Sequence, residues 1–235
     1  MGSLCDDLLF SCVLSILLWG VSVYFLGEGA GDLYIKAICG LLIQTYEVQD
    51  CIDTILGESD QTSKFGSSIG LRNSGTSNIS YDSTNKYYNV NITKHGSESF
   101  IPVNSADGLD DVIIEFDGYL TGSDSLIGLC FYKEGSNWCR LGTKTSAMEY
   151  GENINGTYAE NNITGTSAPA NTWLHYKFTI TNGTIHRQVY NGETLIYEET
   201  RTYAGFFTSN TKYGFTALWG TNWHQYIKNI KIKPL

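Results

Sequence analysis

The most regular pattern in the chain is the alternation of apolar and polar residues over short segments of its C-terminal half. In the segments 112–121 (VIIEFDGYLT) and 173–181 (WLHYKFTIT), large apolar residues alternate with polar ones. They are Val112, Ile114, Phe116 and Leu120 in the first segment and Leu174, Tyr176, Phe178 and Ile180 in the second. Successive side chains of a β-strand point to opposite faces. Both segments therefore predict strands with one face in a core and the other in water.

Turn residues divide the following part of the chain into further strands. Asn182-Gly183 separates segment 173–181 from a strand predicted over 184–190, and Asn191-Gly192 separates that strand from another over 193–198. Asn-Gly pairs between alternating segments are strong hairpin signals because both residues tolerate positive φ. A closing strand over 226–235 is ended by Pro234. Long antiparallel strands with one apolar face each predict two sheets packed face to face.

The N-terminal part of the chain has a different pattern. Leu8–Leu26 carries no charge and approaches the roughly 20 residues that cross a bilayer as a helix. A shorter apolar stretch, Leu33–Tyr46, carries Lys36 and is typical of an interfacial or packed helix. Asp6 and Asp7 precede the first stretch, where a secretion signal would carry positive charge. Leu8–Leu26 is predicted either to anchor the chain in a membrane or to pack against a partner protein or a second copy of the chain.

The change of pattern predicts the domain organisation. Residues 1–58 form an apolar helical segment that serves as membrane anchor or assembly segment. Residues 59–76 are Ser/Gly-rich and are interpreted as a linker or a first irregular strand. Residues 77–235 form an all-β, antiparallel two-sheet sandwich.

Composition narrows the possible partners. The net charge of −9 and the pI of about 4.8 argue against a protein that binds nucleic acid by neutralising phosphates. Beyond Ser59 the chain is rich in Asn, Thr, Ser, Gly and Tyr, a composition typical of turn-rich β proteins that recognise polar ligands.

Several segments together resemble a known superfamily. Four parts of the chain resemble the second half of a concanavalin A-like jelly roll. They are Asn171–Ile180, the Asn-Gly hairpins through Ile196-Tyr197, the strand Tyr213–Ala217 and the closing strand Ile227–Ile232. The resemblance covers about residues 85 to 235 and points to the lectin/glucanase and laminin-G-like domains. It implies a jelly-roll sandwich of the kind found on phage tail and fibre proteins and on microbial surface adhesins. Because such folds host many activities, function has to be argued from a site.

The resemblance raises one enzymatic hypothesis. Members of the glucanase branch carry a Glu-x-Asp-x-x-Glu strand, and Glu115 and Asp117 match its first two positions. Leu120 stands at the third position, so the general acid is missing. A hydrolase or lyase would need a second carboxyl group from elsewhere, for example Glu149 or Glu152. We therefore expect that the protein is not an enzyme.

Aromatic residues with polar neighbours give the preferred hypothesis, because sugar rings stack their C–H faces on Trp and Tyr. The candidate ligand-binding residues share a turn-rich setting, and they are Trp138, Tyr150, Tyr158, Trp219, Asn222 and Trp223. For each single ring, packing in the core is the alternative.

Loop carboxylates are candidate calcium ligands, and two cysteines are candidates for a disulfide. No cofactor is expected, although calcium is possible because laminin-G-like domains often hold it through loop oxygens, and the candidate ligands are Asp107, Asp110, Asp111 and Asp124. Cys130 and Cys139 lie on either side of a hairpin around Glu134–Asn137 and are predicted either to form a disulfide or to remain reduced thiols.

The sequence thus predicts a non-enzymatic recognition module for carbohydrate or another surface polymer, displayed on a virion or cell surface. The rival hypotheses are a glycoside hydrolase or lyase of the same fold and a purely structural virion subunit.

Overall fold

The computed structural model describes residues 59–92, 97–103, 111–121, 126–134, 137–208, 210–218 and 224–235. The predictions for segment 1–58, including the anchor or assembly helix Leu8–Leu26, lie outside these residues. Within the described ranges, no helix has the length and apolar character needed to cross a membrane.

The described residues form β-strands joined by turns, with a single turn of 3-10 helix at Thr62–Lys64. The strands of the first half are β1 (Ile69–Arg72), β2 (Ser77–Asp82), β3 (Tyr87–Ile92), β4 (Glu98–Pro102), β5 (Val112–Leu120), β6 (Ile127–Lys133) and β7 (Asn137–Thr143). The strands of the second half are β8 (Met148–Ile154), β9 (Thr157–Ile163), β10 (Trp173–Thr181), β11 (Thr184–Asn191), β12 (Thr194–Thr202), β13 (Lys212–Leu218) and β14 (His224–Pro234).

These strands build two seven-stranded antiparallel sheets. Sheet A has the order β1-β4-β13-β6-β7-β8-β9, and sheet B has the order β12-β11-β10-β5-β14-β3-β2. The sheets pack face to face around one apolar core. The predicted fold class, an antiparallel two-sheet sandwich, is confirmed.

The core lies where the alternating pattern predicts it. Along β5 every second residue from Val112 to Leu120 is buried, and β10 repeats this alternation. Phe116 of β5 stacks on Tyr176 of β10 with ring centroids 4.9 Å apart. Phe116 also contacts sheet A, where the Phe215 ring lies edge-on to it with the centroids 4.9 Å apart. Edge-on and stacked aromatic pairs each add stabilisation beyond the buried area.

The two Asn-Gly pairs form hairpins, but in different ways. Asn182 and Gly183 both have positive φ, 48° and 73°, between β10 and β11. In the second hairpin Asn191 still pairs with Thr194, so Gly192 and Glu193 are the central residues. Only Gly192 needs positive φ there, at 59°. A bulge at Val189/Tyr190 moves the register and causes this difference.

The segment 59–76 contributes a strand to the sandwich. Strand β1 pairs with β4 at the edge of sheet A. Phe65, just before it, is buried, and its ring lies 5.2 Å from that of Tyr88. Residues 69–72 of this segment thus form strand β1.

Candidate functional site

The outward face of sheet B carries a cluster of four aromatic rings. Trp173 of β10, Tyr119 of β5 and Tyr226 of β14 lie opposite one another in register. The Tyr119 ring centroid is 5.3 Å from that of Trp173 and 6.1 Å from that of Tyr226. Tyr87 of β3 closes the cluster, 4.6 Å from Tyr226 and 6.1 Å from Trp173. All four side chains are partly exposed. We call these four residues the aromatic platform.

Polar side chains border the aromatic platform along the same strands. Asp117 accepts a hydrogen bond from Asn229 Nδ2 at 2.7 Å and lies 2.9 Å from His175 Nδ1. Asn229 occupies a bulge of β14 with a φ of 53°, which lets it reach over the strand surface. The Lys228 ammonium lies 4.1 Å from the Trp173 ring centroid. The platform thus combines ring faces with hydrogen-bonding groups of both kinds.

Asp117 is held in its ionised form. Burial would raise the pKa of this carboxyl, but hydrogen bonds from His175 and Asn229 and the nearby charges of His175 and Lys228 outweigh it and lower the pKa below the usual 3.8. A carboxylate that is ionised at neutral pH accepts hydrogen bonds from hydroxyl groups and cannot serve as a general acid.

The carboxyl groups of the enzymatic hypothesis do not meet. Glu115 shares the outward face of sheet B with Asp117 and lies 3.9 Å from the Lys177 ammonium. Leu120 points into the core. Glu149 projects from the opposite side of the sandwich, the outward face of sheet A, so it cannot assist Glu115 or Asp117.

The outward face of sheet A is occupied by a buried ionic network. Arg140 of β7 is fully buried and donates hydrogen bonds to Glu149 from Nε (2.9 Å) and Nη2 (2.6 Å). Its Nη1 donates to Glu98 of β4, and Nη2 lies 3.4 Å from Glu160. The Lys144 ammonium pairs with the second oxygen of Glu149. Buried charges are tolerated only when they are paired in this way.

The two edges of sheet A meet over this network. Arg72 belongs to β1 and Tyr158 to β9, the first and last strands of the sheet, yet Arg72 Nη1 donates a 2.7 Å hydrogen bond to the Tyr158 hydroxyl. In a flat sheet, six strand spacings would separate these strands by about 29 Å. Arg72 also lies 3.6 Å from Glu160, whose carboxylate accepts a hydrogen bond from Tyr158. We call Arg72, Tyr158 and Glu160 the strap. Sheet A is therefore strongly curled, and its outward face is closed by the strap.

The aromatic residues predicted from sequence have different environments. Trp138 is 1% exposed and packs with Phe100 and Cys130 on the closed face of sheet A, which corrects the expectation of a ring free for a ligand. Tyr150 is partly buried, with the Arg201 guanidinium 3.4 Å from its ring centroid. Tyr158 is 42% exposed but belongs to the strap. Trp219, Asn222 and Trp223 lie outside the described residues.

The strand register separates the two cysteines, for which a disulfide and two reduced thiols were the alternatives. Lys133 pairs with Asn137, and this register places Cys130 opposite Arg140 and Cys139 opposite Phe131. The cysteines therefore point to opposite faces of sheet A, because a one-residue offset reverses the side of the sheet. Both are buried free thiols, and burial raises their pKa well above the usual value.

The calcium candidates are mostly outside the described residues. Asp111 is described, and its carboxylate accepts a 3.2 Å hydrogen bond from the backbone of Asn182, whereas Asp107, Asp110 and Asp124 are not described. In the described part of the chain, no three His, Cys, Asp or Glu side chains are grouped to hold a metal ion.

Part of the aromatic platform has a signal in the sequence. Tyr119 and Trp173 occupy outward positions of strands whose inward positions are apolar. Large rings at positions predicted to face water indicate a binding surface. What the sequence could not give was the strand order that brings Tyr87 and Tyr226 beside them.

The described residues between 59 and 235 thus form an antiparallel two-sheet sandwich. The fold is similar to those of several solved structures. The Ca²⁺-bound exoplasmic/lumenal domain of VIP36 matches with a TM-score of 0.55 and 10% identity over 78% of this chain and 89% of that one. The metal-free lectin I-B4 of Griffonia simplicifolia matches with a TM-score of 0.50 and 10% identity over 74% and 94%. A functionally unknown protein from Saccharomyces cerevisiae matches with a TM-score of 0.52 and 10% identity over 75% and 99%.

The domain therefore has the concanavalin A-like lectin fold, as the sequence resemblance predicted. No protein-family model matches the sequence, and no curated protein does. At this level of identity the comparison gives the fold alone, so the function has to be argued from the surface of the molecule.

Proposed function

We propose that the domain is a non-enzymatic carbohydrate-recognition module and that it binds its ligand on the aromatic platform. The observation that carries this proposal is the group of four partly exposed rings, Tyr87, Tyr119, Trp173 and Tyr226, on the outward face of sheet B. Exposed aromatic clusters beside polar groups are uncommon on surfaces that bind nothing.

The chemistry of the surroundings suits a sugar. The C–H face of a pyranose ring can lie on the Trp173 and Tyr226 rings, while Asp117 accepts hydrogen bonds from its hydroxyl groups. Asn229, His175 and Lys228 add donors at the border of the platform. Apolar contact with a few fixed polar groups is the usual composition of a small-molecule binding surface.

The proposal includes display outside the cytoplasm, on a virion or cell surface, with segment 1–58 as membrane anchor or assembly segment. The printed names of two fold neighbours support an extracytoplasmic, sugar-binding setting. VIP36 is described by its exoplasmic/lumenal domain, one form of it with bound Man3GlcNAc, and the Griffonia protein is called a lectin. Calcium binding near Asp111 and self-association stay predictions.

The hydrolase or lyase hypothesis has less support. Asp117 is ionised, and Glu115 and Glu149 lie on opposite sides of the sandwich. Retaining glycosidases need two carboxyl groups about 5 to 5.5 Å apart, one of them protonated.

A glycan array and a polysaccharide pull-down with the full chain in mild detergent test the proposal. Trp173→Ala and Tyr226→Ala should each reduce binding by about tenfold or more, the loss expected from about 1.5 kcal/mol of ring stacking. Tyr158→Ala is the matched control, because this tyrosine is also exposed but lies on the strap of sheet A. It should bind as the wild type does.

Three other results would redirect the proposal. Binding lost in Trp219→Ala or Trp223→Ala but kept in Trp173→Ala would move the site to the segment before β14. Cleavage of a bound glycan that Glu115→Gln abolishes would establish the hydrolase. Silence from a folded protein across the array would favour the structural virion subunit.

A further inference from the structure

A β-bulge brings two lysines to the border of the aromatic platform. Lys228 and Lys231 of β14 are three positions apart, so in a regular strand their side chains would point to opposite faces of the sheet. The register between β14 and β5 shifts between them, which places Lys228 opposite Asp117 and Lys231 opposite Glu115. Both carboxylates lie on the outward face of sheet B, so both lysines lie there too. We call Lys228 and Lys231 the bulge lysines.

The bulge has a backbone conformation that a plain strand does not need. Asn229 within it has a φ of 53°, in the left-handed region that Asn tolerates better than most residues. Ile230, next to it, remains fully buried in the core. Bulges are frequent beside functional sites because they redirect side chains. This one directs two ammonium groups and the Asn229 amide towards the platform.

The carboxylates beside the bulge lysines have partners of their own. Asp117 lies 2.9 Å from His175 Nδ1 and 2.7 Å from Asn229 Nδ2. Glu115 lies 3.9 Å from the Lys177 ammonium. Among the described residues, the bulge lysines form no ion pair of their own. Three ammonium groups therefore stand around two carboxylates next to the platform.

Two further carboxylates of this face lie on the outermost strands of sheet B, β2 and β12. Asp82 of β2 accepts a 2.8 Å hydrogen bond from Asn85 Nδ2. Glu198 of β12 lies 3.5 Å from His186 Nε2. The positive charge of the bulge lysines is thus left for a ligand, although the net charge of the chain is −9.

The bulge lysines are placed to meet a ligand that stacks on the rings. The Lys228 ammonium lies 4.1 Å from the Trp173 ring centroid, so an anionic group bound to it would lie beside this ring. Lys231 is exposed and lies one step further from the platform, opposite Glu115. Two residues along a strand span about 7 Å. A polymer whose sugar unit rests on Trp173 could therefore reach Lys231 with the next part of its chain.

We infer that the ligand of the aromatic platform is an acidic polysaccharide, whose carboxylate or sulfate groups pair with Lys228 and Lys231. This inference rests on the proposed function, because the rings hold the sugar and the lysines select its charge. An ammonium group binds either anion as a point charge. The shared chemistry is thus an anionic group on a sugar ring.

Two pairs of polymers that differ only in charge test the inference. They are polygalacturonate with its methyl ester, and dextran sulfate with dextran. Biolayer interferometry with the full chain in mild detergent measures their affinities. In at least one pair the acidic member should bind about tenfold or more tightly at about 0.05 M NaCl, and this difference should shrink at about 0.5 M because salt screens exposed charges. The pair that shows the difference distinguishes carboxylate from sulfate.

Variants of the bulge lysines connect this preference to the site. Lys228→Gln and Lys231→Gln should each weaken acidic binding by about threefold, and the two together by about tenfold, as expected for partly exposed ion pairs. Affinity for the neutral polymers should not change. Lys212→Gln is the matched control, because Lys212 is an exposed lysine of β13 in sheet A, and it should bind as the wild type does.

The outcomes separate failure of this inference from failure of the proposed function. Equal affinity for the acidic and neutral members of both pairs, lost in Trp173→Ala, would overturn the inference and support the platform. Acidic binding that Lys228→Gln combined with Lys231→Gln leaves unchanged would also overturn the inference. Acidic binding that Trp173→Ala and Tyr226→Ala both retain would overturn the proposed function, and the inference with it.

Discussion

The outward faces of the two sheets follow from the same alternation of side chains, but the face of sheet B is exposed and the face of sheet A is buried. On sheet B the outward residues remain at the surface, and four of them form the aromatic platform. On sheet A the outward residues Glu98, Arg140 and Glu149 are fully buried. An outward position in a strand therefore does not mean an exposed position, because the curvature of the sheet decides which face water reaches.

Glycines explain why sheet A can curl so far. Gly142 and Gly151 stand at outward positions of β7 and β8, where side chains would fill the concave space. A Cβ atom at Gly142 would lie 2.5 Å from Leu126 Cδ1, and one at Gly151 would lie 2.8 Å from the Arg140 guanidinium carbon. Close approach of this kind is what glycine permits within a strand.

Removal of Arg140 should have the largest effect on stability. Arg140→Ala leaves Glu98 and Glu149 buried without their main partner, and breaking a buried ion pair costs about 3 to 5 kcal/mol. Urea unfolding of the full chain measures this. Arg72→Ala is the control, because Arg72 makes a partly exposed ion pair worth about 1 kcal/mol or less. Equal costs for the two variants would mean that the outward face of sheet A is open to water.

Adding a methyl group at Gly151 should have the next largest effect on the free energy of unfolding. Gly151→Ala places Cβ against a guanidinium that Glu98 and Glu149 hold in place, and overpacking of this kind costs about 1 to 3 kcal/mol. The cost should shrink when Arg140→Ala is already present, and a double-mutant cycle by urea unfolding measures this coupling. Additive costs would contradict the packing of Arg140 against Gly151.

The strap should make the domain sensitive to acid. Burial tends to raise the pKa of Glu160, but the Tyr158 hydroxyl and the charges of Arg140, Lys144 and Arg72 lower it below the usual 4.5. Its stabilisation is therefore complete above about pH 4.5 and is lost as the pH falls through the lower, folded-state pKa. Between pH 7 and pH 3, the wild type should lose more stability than Glu160→Gln, by about 1 kcal/mol or less.

Urea midpoints at a series of pH values measure this difference. The same loss of stability in the wild type and in Glu160→Gln would show that the strap carries no net charge stabilisation.

The smallest effect on the free energy of unfolding is expected for replacement of Lys228, on sheet B. Lys228→Gln removes the ammonium that lies 4.1 Å from the Trp173 ring, a partly exposed cation–π contact worth about 0.5 kcal/mol. Lys228→Arg should keep most of this contribution. A loss above about 2 kcal/mol in urea unfolding would mean that this face is buried in the same way as that of sheet A.

The fold was predictable to the extent that local patterns determine it. The alternation over 112–121 and 173–181 and the Asn-Gly turns place β5, β10 and β11 within one residue of the observed bounds. Strand β12 extends four residues beyond its predicted end because Thr200 and Thr202 continue the ladder with β11. The curl of sheet A was not predictable, because it depends on contacts between its edges that no local pattern encodes.

The candidate site, like the fold, could be predicted from the sequence only where local patterns determine it. Trp138 lies beside turn residues, which suggested exposure, but curled strands cover it. The platform needs β3, β5, β10 and β14 to be neighbours, an order produced by long crossovers. Residues far apart in sequence, such as Tyr87 and Tyr226, therefore could not be paired from the sequence alone.

We propose that sheet B offers an open sugar-binding face, whereas the outward face of sheet A is closed. Hydroxyl-radical footprinting with mass spectrometry, with and without a polysaccharide identified on the array, measures both faces in one experiment. We expect oxidation of Trp173 and Tyr226 in the free protein, protection of both by the polysaccharide, and little oxidation of Trp138 in either state. Oxidation of Trp138 as fast as that of Trp173, or no protection of the platform rings by a bound polysaccharide, would contradict this proposal.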